Sequence, residues 1–202
     1  MVESNPRNPV VLIHGIFDTQ NIFNKMSAYL RQKGWEVHCL SLVPSGGFLG
    51  LDRLAEQILD YVEKTFDPNQ SFDLVGFSMG GIVSRYYVQR LGGIKRVQRF
   101  ITISSPHHGT WTAYLYVRPG TLQMRPNCKF LQDLNQDIDQ LNQLNFTSIW
   151  TPYDAIIIPP NSSQVPVGEE IQVNILLHHW MVQDLQCFQS IVNTLSKPLK
   201  NG

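Results

Sequence analysis

One short stretch, residues 72–91, restricts the fold of this chain more than any other part of it. An apolar run that starts at Phe72 ends in Gly-Phe-Ser-Met-Gly at 76–80, and the residues that follow carry apolar side chains at helical spacing. This pattern predicts a strand, a sharp turn and a helix, with Ser78 at the apex of the turn. The flanking glycines let strand and helix approach closely. Ser78 is therefore a candidate nucleophile whose hydroxyl projects from the edge of a sheet.

Strands and helices alternate along most of the chain. The continuous run Val10-Val11-Leu12-Ile13 is typical of a strand that is buried on both faces, as in parallel sheets covered by helices. We predict an α/β fold in three layers, with a mostly parallel sheet flanked by helices, because such alternation builds βαβ units. The predicted strands cover residues 10–13, 37–40, 72–77, 96–104, 146–150 and 171–177.

The regular alternation breaks between residues 111 and 144, which contain prolines, aromatic residues and a stretch rich in Gln and Asn. Because this segment lies between two predicted strands, we interpret it as a short excursion over the active edge of the sheet. It is too short for a cap domain. The sequence thus predicts one domain over residues 1–202 with a minimal lid.

Composition limits the classes of partner and compartment. Sixteen basic residues balance 16 acidic ones, so no net charge favours nucleic acid or an anionic membrane. Cys39, Cys128 and Cys187 are an odd number without metal-ligand spacing, which predicts free thiols in a reducing compartment. Residues 1–9 lack the apolar core of a signal peptide, and no run has the length of a membrane span, so we expect a cytoplasmic protein. The sequence contains neither a metal-ligand cluster nor a Gly-rich phosphate-binding loop, so we expect no cofactor.

Several motifs in a fixed order resemble one family. His-Gly-Ile follows the first strand at 14–16, Gly-Phe-Ser-Met-Gly-Gly occupies 76–81, and Ser-Ser-Pro-His-His-Gly-Thr occupies 104–110. An aspartate and a histidine then follow the last two predicted strands. The chain resembles the α/β-hydrolase lipases and esterases, and most of all the small bacterial triacylglycerol lipases. This resemblance implies an α/β-hydrolase fold and hydrolysis of carboxylic esters, such as acylglycerols, through a Ser-His-Asp acyl-enzyme mechanism.

A serine hydroxyl needs a base within hydrogen-bond reach and a carboxylate that orients the base. In the family the acid and the histidine follow the serine in that order. Asp154 lies just past a predicted strand and is our candidate acid. The other carboxylates fit less well, since three lie in the polar excursion and two precede the last predicted strand at the wrong edge of the sheet: Asp133, Asp137, Asp139, Glu169 and Glu170.

The base is one of two adjacent histidines. Successive residues of a strand face opposite ways, so at most one of them can face Ser78 if the strand continues that far. We favour His178, with His179 as the alternative base. His14 belongs to the turn after the first strand, and His38 lies inside a strand and is predicted to be structural.

The resemblance also implies an oxyanion hole built from two backbone N–H groups, those of Ile16 and Met79. Apolar and aromatic residues flank the presumed active edge and favour an acyl chain of medium to long length. The expected partner is a lipid or ester small molecule, with transient contact to a lipid interface and no nucleic acid. Two alternatives remain: an acyltransferase or thioesterase with the same triad, and a binding relative without catalysis.

Overall fold

A computed structural model of the protein describes residues 7–200. Its centre is a six-stranded sheet in the order β2-β1-β3-β4-β5-β6, and every pairing is parallel. The strands are β1 (Val10–Ile13), β2 (Val37–Leu40), β3 (Phe72–Phe77), β4 (Val97–Ile103), β5 (Asn145–Trp150) and β6 (Glu169–Gln172). Since the strands run in one direction, the loops that follow them meet at one edge of the sheet.

Helices cover both faces of the sheet. They are α1 (Asn24–Gln32), α2 (Leu51–Thr65), α3 (Met79–Arg90), α4 (Pro119–Leu122), α5 (Lys129–Gln136) and α6 (Leu185–Leu195). One apolar cluster joins the buried faces of α2, α3 and α5 to the sheet, and a second cluster joins those of α1 and α6. The predicted three-layer α/β-hydrolase fold, with its parallel sheet flanked by helices, is therefore confirmed.

The segment between β4 and β5 divides into two parts. A 3-10 turn (Trp111–Leu115) and α4 lie at the carboxyl edge of the sheet, where they line a cavity. By contrast, α5 and a second 3-10 turn (Ile138–Gln143) bury their apolar residues in the core beside α3. The second half thus belongs to the helical layer, because its apolar side chains recur at helical spacing and need a buried face.

The last strand differs from the prediction over 171–177. It begins at Glu169 and ends at Gln172, so the two glutamates expected before the strand lie within it. As an edge strand it pairs with β5 alone, and its exposed residues can therefore be charged. The apolar residues of 173–177 lie in an extended loop, and the two candidate histidines follow in a 3-10 turn (His178–Val182). The argument from alternating strand faces consequently does not apply to them.

All three cysteines are free, as predicted. Within residues 7–200, no helix combines the length and the apolar character that crossing a membrane requires. The expectation that the N-terminal segment lacks a signal peptide falls mostly on residues 1–6, which lie outside the described part of the chain.

Candidate active site

Ser78 occupies the sharp turn between β3 and α3. Its backbone has φ 54° and ψ −123°, a region that residues other than glycine rarely adopt and that costs about 1–3 kcal/mol. Its N–H donates to the carbonyl of Ile103 at 2.8 Å, and its own carbonyl accepts from Gly81 N–H at 3.0 Å. The first bond holds the strained turn to the end of β4 and the second closes the turn itself, so the serine backbone is fixed relative to the sheet.

Two glycines make this turn possible for a steric reason. A side chain at Gly80 would overlap the carbonyl oxygens of Ile13 and His14, at the end of β1. A side chain at Gly76 would overlap the backbone of Gly81 in the first turn of α3. The helix can therefore start directly against the sheet only with glycine at both positions.

The candidate base and the candidate acid contact each other. Nδ1 of His178 lies 2.7 Å from Oδ2 of Asp154, and both side chains are almost fully buried. The ring of Phe77 packs on the His178 ring at a centroid distance of 4.8 Å. Because Nδ1–H of His178 donates a hydrogen bond to Asp154, the second ring nitrogen, Nε2, is left without a proton in the neutral ring and can take one.

Asp154 is held as a carboxylate by its surroundings. Burial raises the pKa of Asp154, but the hydrogen bond and charge of His178 and two backbone N–H groups outweigh it, so the pKa is lowered overall. Those N–H groups belong to Ile156 and Ile157, and each donates to Oδ1 at 2.9 Å. One oxygen is thus engaged by the backbone and the other by the imidazole, which fixes the carboxylate plane.

The alternative base, His179, lies in a different environment. Its side chain is 59% exposed, and its Nε2 is 3.8 Å from Oδ1 of Asp18. The other candidate carboxylates have structural surroundings: Asp133 and Asp137 pair with Arg90, Asp139 is exposed, Glu169 pairs with Lys197, and Glu170 accepts from the Trp150 indole. The structure thus brings together Ser78, Asp154 and both histidines, and leaves those five carboxylates elsewhere.

The loop after β1 presents one of the two backbone N–H groups expected of an oxyanion hole. Within residues 7–200, neither Ile16 N–H nor Met79 N–H donates to another group of the protein. The next N–H, that of Phe17, donates to Ser45 at 3.0 Å, and Phe17 itself has φ 64°. Both proposed donors are therefore free to bind an external acceptor.

His14 anchors this loop. Its Nε2 accepts from Leu42 N–H at 2.9 Å, and its Nδ1 lies 2.7 Å from the carbonyl of Gly15, to which it donates. Because Nε2 can accept a hydrogen bond only when it carries no proton, the two bonds together require the neutral ring. Burial lowers the pKa of His14, which favours that state. The histidine of the His-Gly motif is therefore a buried link between the loops that follow β1 and β2.

A cavity of about 300 Å³ opens over Ser78 and the two histidines. Most of its remaining lining is apolar and comes from three loops: Ile16, Phe17, Pro106, Ala113, Leu115, Tyr116, Met124, Ile156 and Ile157. Thr110 holds two of these loops together, since its hydroxyl donates to the Ile156 carbonyl at 2.8 Å and accepts from Ile158 N–H at 2.9 Å. The cavity can accommodate an apolar chain directly beside the serine.

Sequence reasoning missed one acidic residue of this cavity, Asp18. Asp18 lines the cavity, and its Oδ2 is buried without a hydrogen-bond partner within residues 7–200. Burial raises the pKa of Asp18, while the nearby charges of His179, His14 and His178 lower it less strongly. The sequence feature that could have identified Asp18 is its position, four residues after His14 in the loop that follows a buried strand.

Solved structures with the same fold include several lipases. The mature form of lipase BlEst2 from Bacillus licheniformis superposes with a TM-score of 0.80 at 14% identity, over 96% of this chain and 94% of that one. Lipase B from Aspergillus fumigatus superposes with a TM-score of 0.81 at 18% identity, over 96% of this chain and 53% of that one. At these identities the likeness concerns the fold.

Sequence comparison identifies the family. Palmitoyl-protein thioesterase 3 of Dictyostelium discoideum is 24% identical over 106 residues, which are 50% of this chain and 36% of that protein. The alignment thus spans about a third of the relative's length. The sequence pattern of palmitoyl protein thioesterases matches residues 9–123, from the first strand through the nucleophile turn and into the segment that lines the cavity. The chain belongs to the palmitoyl protein thioesterase family.

Proposed function

We propose that this protein is a serine hydrolase that removes acyl chains from ester or thioester substrates. One observation carries the proposal: Ser78, on a strained turn, shares a cavity with His178, whose Nδ1 is hydrogen-bonded to the buried carboxylate of Asp154. A base that is oriented by a buried carboxylate activates a serine hydroxyl, and the strained turn presents that hydroxyl at the edge of the sheet.

The reaction has two steps. Ser78 Oγ attacks the acyl carbonyl carbon while Nε2 of His178 takes its proton, and Asp154 stabilises the imidazolium that forms. Collapse of the tetrahedral intermediate breaks the bond to the leaving oxygen or sulfur, which receives the proton from His178. A water molecule then attacks the acyl-Ser78 ester with His178 as the base again, which releases the fatty acid and restores the serine.

The backbone N–H groups of Ile16 and Met79 are the proposed donors to the oxyanion. Their lack of an acceptor within residues 7–200 supports this role, since a preorganised donor must be free before the charge develops. Each such donor typically contributes roughly 3–4 kcal/mol of barrier lowering.

The apolar lining of the cavity supports an acyl chain of medium to long length as the bound group. Exposed apolar side chains surround its mouth, among them Phe17, Leu115 and Tyr116. They support transient contact with a lipid interface, from which a chain could enter the cavity. A carboxylate-rich small molecule would find no lysine or arginine among the described lining residues.

Oxygen esters and thioesters are both candidates for the scissile bond. The fold shared with lipases supports the first, and membership of the palmitoyl protein thioesterase family supports the second. Transfer of the acyl group to an alcohol other than water would use the same residues. Product analysis with competing alcohols separates transfer from hydrolysis.

A chain-length series tests the proposal. The wild-type protein is assayed on p-nitrophenyl esters and on thioesters from two to sixteen carbons, beside Ser78→Ala as the matched inactive variant. We expect Ser78-dependent hydrolysis that rises with chain length beyond acetate. Activity on acetate alone would reject the long-chain substrate, and full activity of Ser78→Ala would reject the serine mechanism.

A further inference from the structure

Asp18 is a carboxyl group that nothing in the proposed reaction uses. It lies at the end of the loop that carries Ile16, and its N–H closes a turn onto the carbonyl of Gly15 at 3.4 Å. A methyl group built on Gly15 would lie 3.2 Å from Asp18 Oδ2 and 3.1 Å from Cβ of Ser78. The carboxyl group and the candidate nucleophile therefore lie against the same glycine.

Neither oxygen of this carboxyl group is satisfied by the protein. Oδ2 is buried with no partner within the described chain, and Oδ1 is 3.8 Å from His179 Nε2, beyond hydrogen-bond length. A buried acceptor without a donor costs about 1–3 kcal/mol, so such a group calls for an explanation. Because Oδ2 is closed off from solvent while the side chain is 16% exposed in the wall of the substrate cavity, Oδ1 is the oxygen that a donor from the substrate can reach.

The direction of proton transfer indicates which part of the substrate Asp18 faces. The leaving atom receives its proton from His178, so the leaving group must lie on the imidazole side of the scissile bond. The ring of His179 is 5.6 Å from that of His178, and Asp18 is next to His179. Most of the apolar wall comes from the loops around Ala113, Met124 and Ile157, and Ile16 and Phe17 beside Asp18 supply the rest.

We infer that Asp18 is a specificity-determining residue that accepts a hydrogen bond from an N–H group of the leaving group. This inference rests on the proposed function. The acidic side chain would favour leaving groups that carry an amide or ammonium N–H, such as a cysteine within a peptide, and disfavour those that carry a carboxylate. Among the described lining residues Asp18 is the one acidic side chain outside the proposed triad, so the discrimination should depend on it alone.

Three octanoyl thioesters with matched acyl chains test the inference. Their thiols are N-acetylcysteamine, its N-methyl derivative, which lacks the donor, and 3-mercaptopropionate, which is anionic. A lost hydrogen bond to a charged group corresponds to roughly tenfold or more in rate, so we expect wild-type kcat/KM to fall about tenfold from the first thioester to the second and further to the third. Deacylation starts from the same octanoyl enzyme in all cases and should not vary.

Variants at Asp18 complete the test. Asp18→Leu should abolish the preference for the N–H over the N-methyl thioester, and Asp18→Asn should abolish the discrimination against the anionic one. Asp184, the N-cap of α6, serves as the control, since Asp184→Asn keeps a capping side chain outside the cavity and should leave both ratios unchanged. Labelling of Ser78 by a fluorophosphonate confirms that each variant is folded.

The outcomes separate the two proposals. Equal wild-type rates on the three thioesters, or ratios that persist in labelled Asp18 variants, would overturn the role of Asp18 while leaving the hydrolase intact. Absence of any Ser78-dependent turnover on all three substrates would instead reject the proposed function.

Discussion

His178 and Asp154 are 24 residues apart in sequence, yet Nδ1 of the histidine lies 2.7 Å from Oδ2 of the aspartate in the loops after β5 and β6. A second contact keeps these loops together, since the hydroxyl of Thr151 donates to the carbonyl of Ile175 at 2.7 Å. The acid and the base are thus oriented by two loops that are bonded to each other just beyond the ends of neighbouring strands.

The first prediction distinguishes the two histidines. His178→Ala should lower kcat/KM on a p-nitrophenyl ester by about three to four orders of magnitude, since it removes the base. His179→Ala should remain within about fivefold, because an exposed ring 3.8 Å from a carboxylate contributes little. The opposite ranking in two folded variants would assign the base to His179.

The second prediction concerns the acid. Asp154→Asn preserves the shape of the side chain but removes the charge that stabilises the imidazolium, so kcat should fall about 10⁴-fold. Combined with Ser78→Ala it should add almost nothing, because residues that act as a unit are not additive. If the losses of kcat in the two single variants multiplied in the double variant, Ser78 and Asp154 would not act in one mechanism.

The third prediction tests the oxyanion hole. A backbone N–H at Met79 is unaffected by its side chain, so Met79→Leu should be far milder than Ser78→Ala, and a volume-conserving core change should cost less than about 1.5 kcal/mol of stability. Activity and thermal unfolding of both variants provide the check. Equal loss of activity with intact folding would mean that the hole is elsewhere.

The fourth prediction concerns the nucleophile turn. Gly80→Ala forces a methyl group onto the carbonyls that end β1, so it should shift Ser78 and lower kcat/KM by about 10²-fold. Gly92→Ala is the matched control, because open space surrounds that position and only its left-handed backbone, φ 82°, is disturbed. Equal activity in the two variants would argue against the close approach at Gly80.

The fifth prediction follows from the raised pKa of Asp18. A carboxyl whose folded-state pKa exceeds its unfolded value binds more protons when folded, so stability falls as pH rises from the ordinary carboxyl pKa through the raised one. Asp18→Asn removes this loss and should unfold at a higher temperature than wild type at pH 7, with the difference shrinking near pH 4. A lower unfolding temperature of the variant at pH 7 would contradict this origin.

Much of the architecture is predictable because buried parallel strands have a simple sequence pattern. Val10–Ile13 and Phe72–Phe77 are covered on both faces, so their apolar runs indicate strands directly. The edge strand β6 has no such pattern: its glutamates are exposed, whereas the apolar residues that follow it, such as Val173 and Ile175, are buried without strand geometry. The apolar pattern alone therefore predicts the last strand too far along the sequence, at 171–177 instead of Glu169–Gln172.

The candidate site is predictable where a residue follows the carboxyl end of a strand, as Ser78 and Asp154 do. The inward orientation of Asp18 depends instead on the left-handed backbone of Phe17 and on the turn back to Gly15. Neither of these backbone features can be recognised from the sequence. The contact that distinguishes His178 from His179 likewise depends on a 3-10 turn where an extended strand was predicted.

The most direct test is to trap the covalent intermediate. The wild-type protein is mixed with an octanoyl thioester, quenched in acid within the first turnover, digested and analysed by mass spectrometry. We predict the octanoyl mass on the peptide that contains Ser78, and its absence in Ser78→Ala. An acyl group on another residue, such as Cys39 or Cys128, with turnover preserved in Ser78→Ala, would contradict the account.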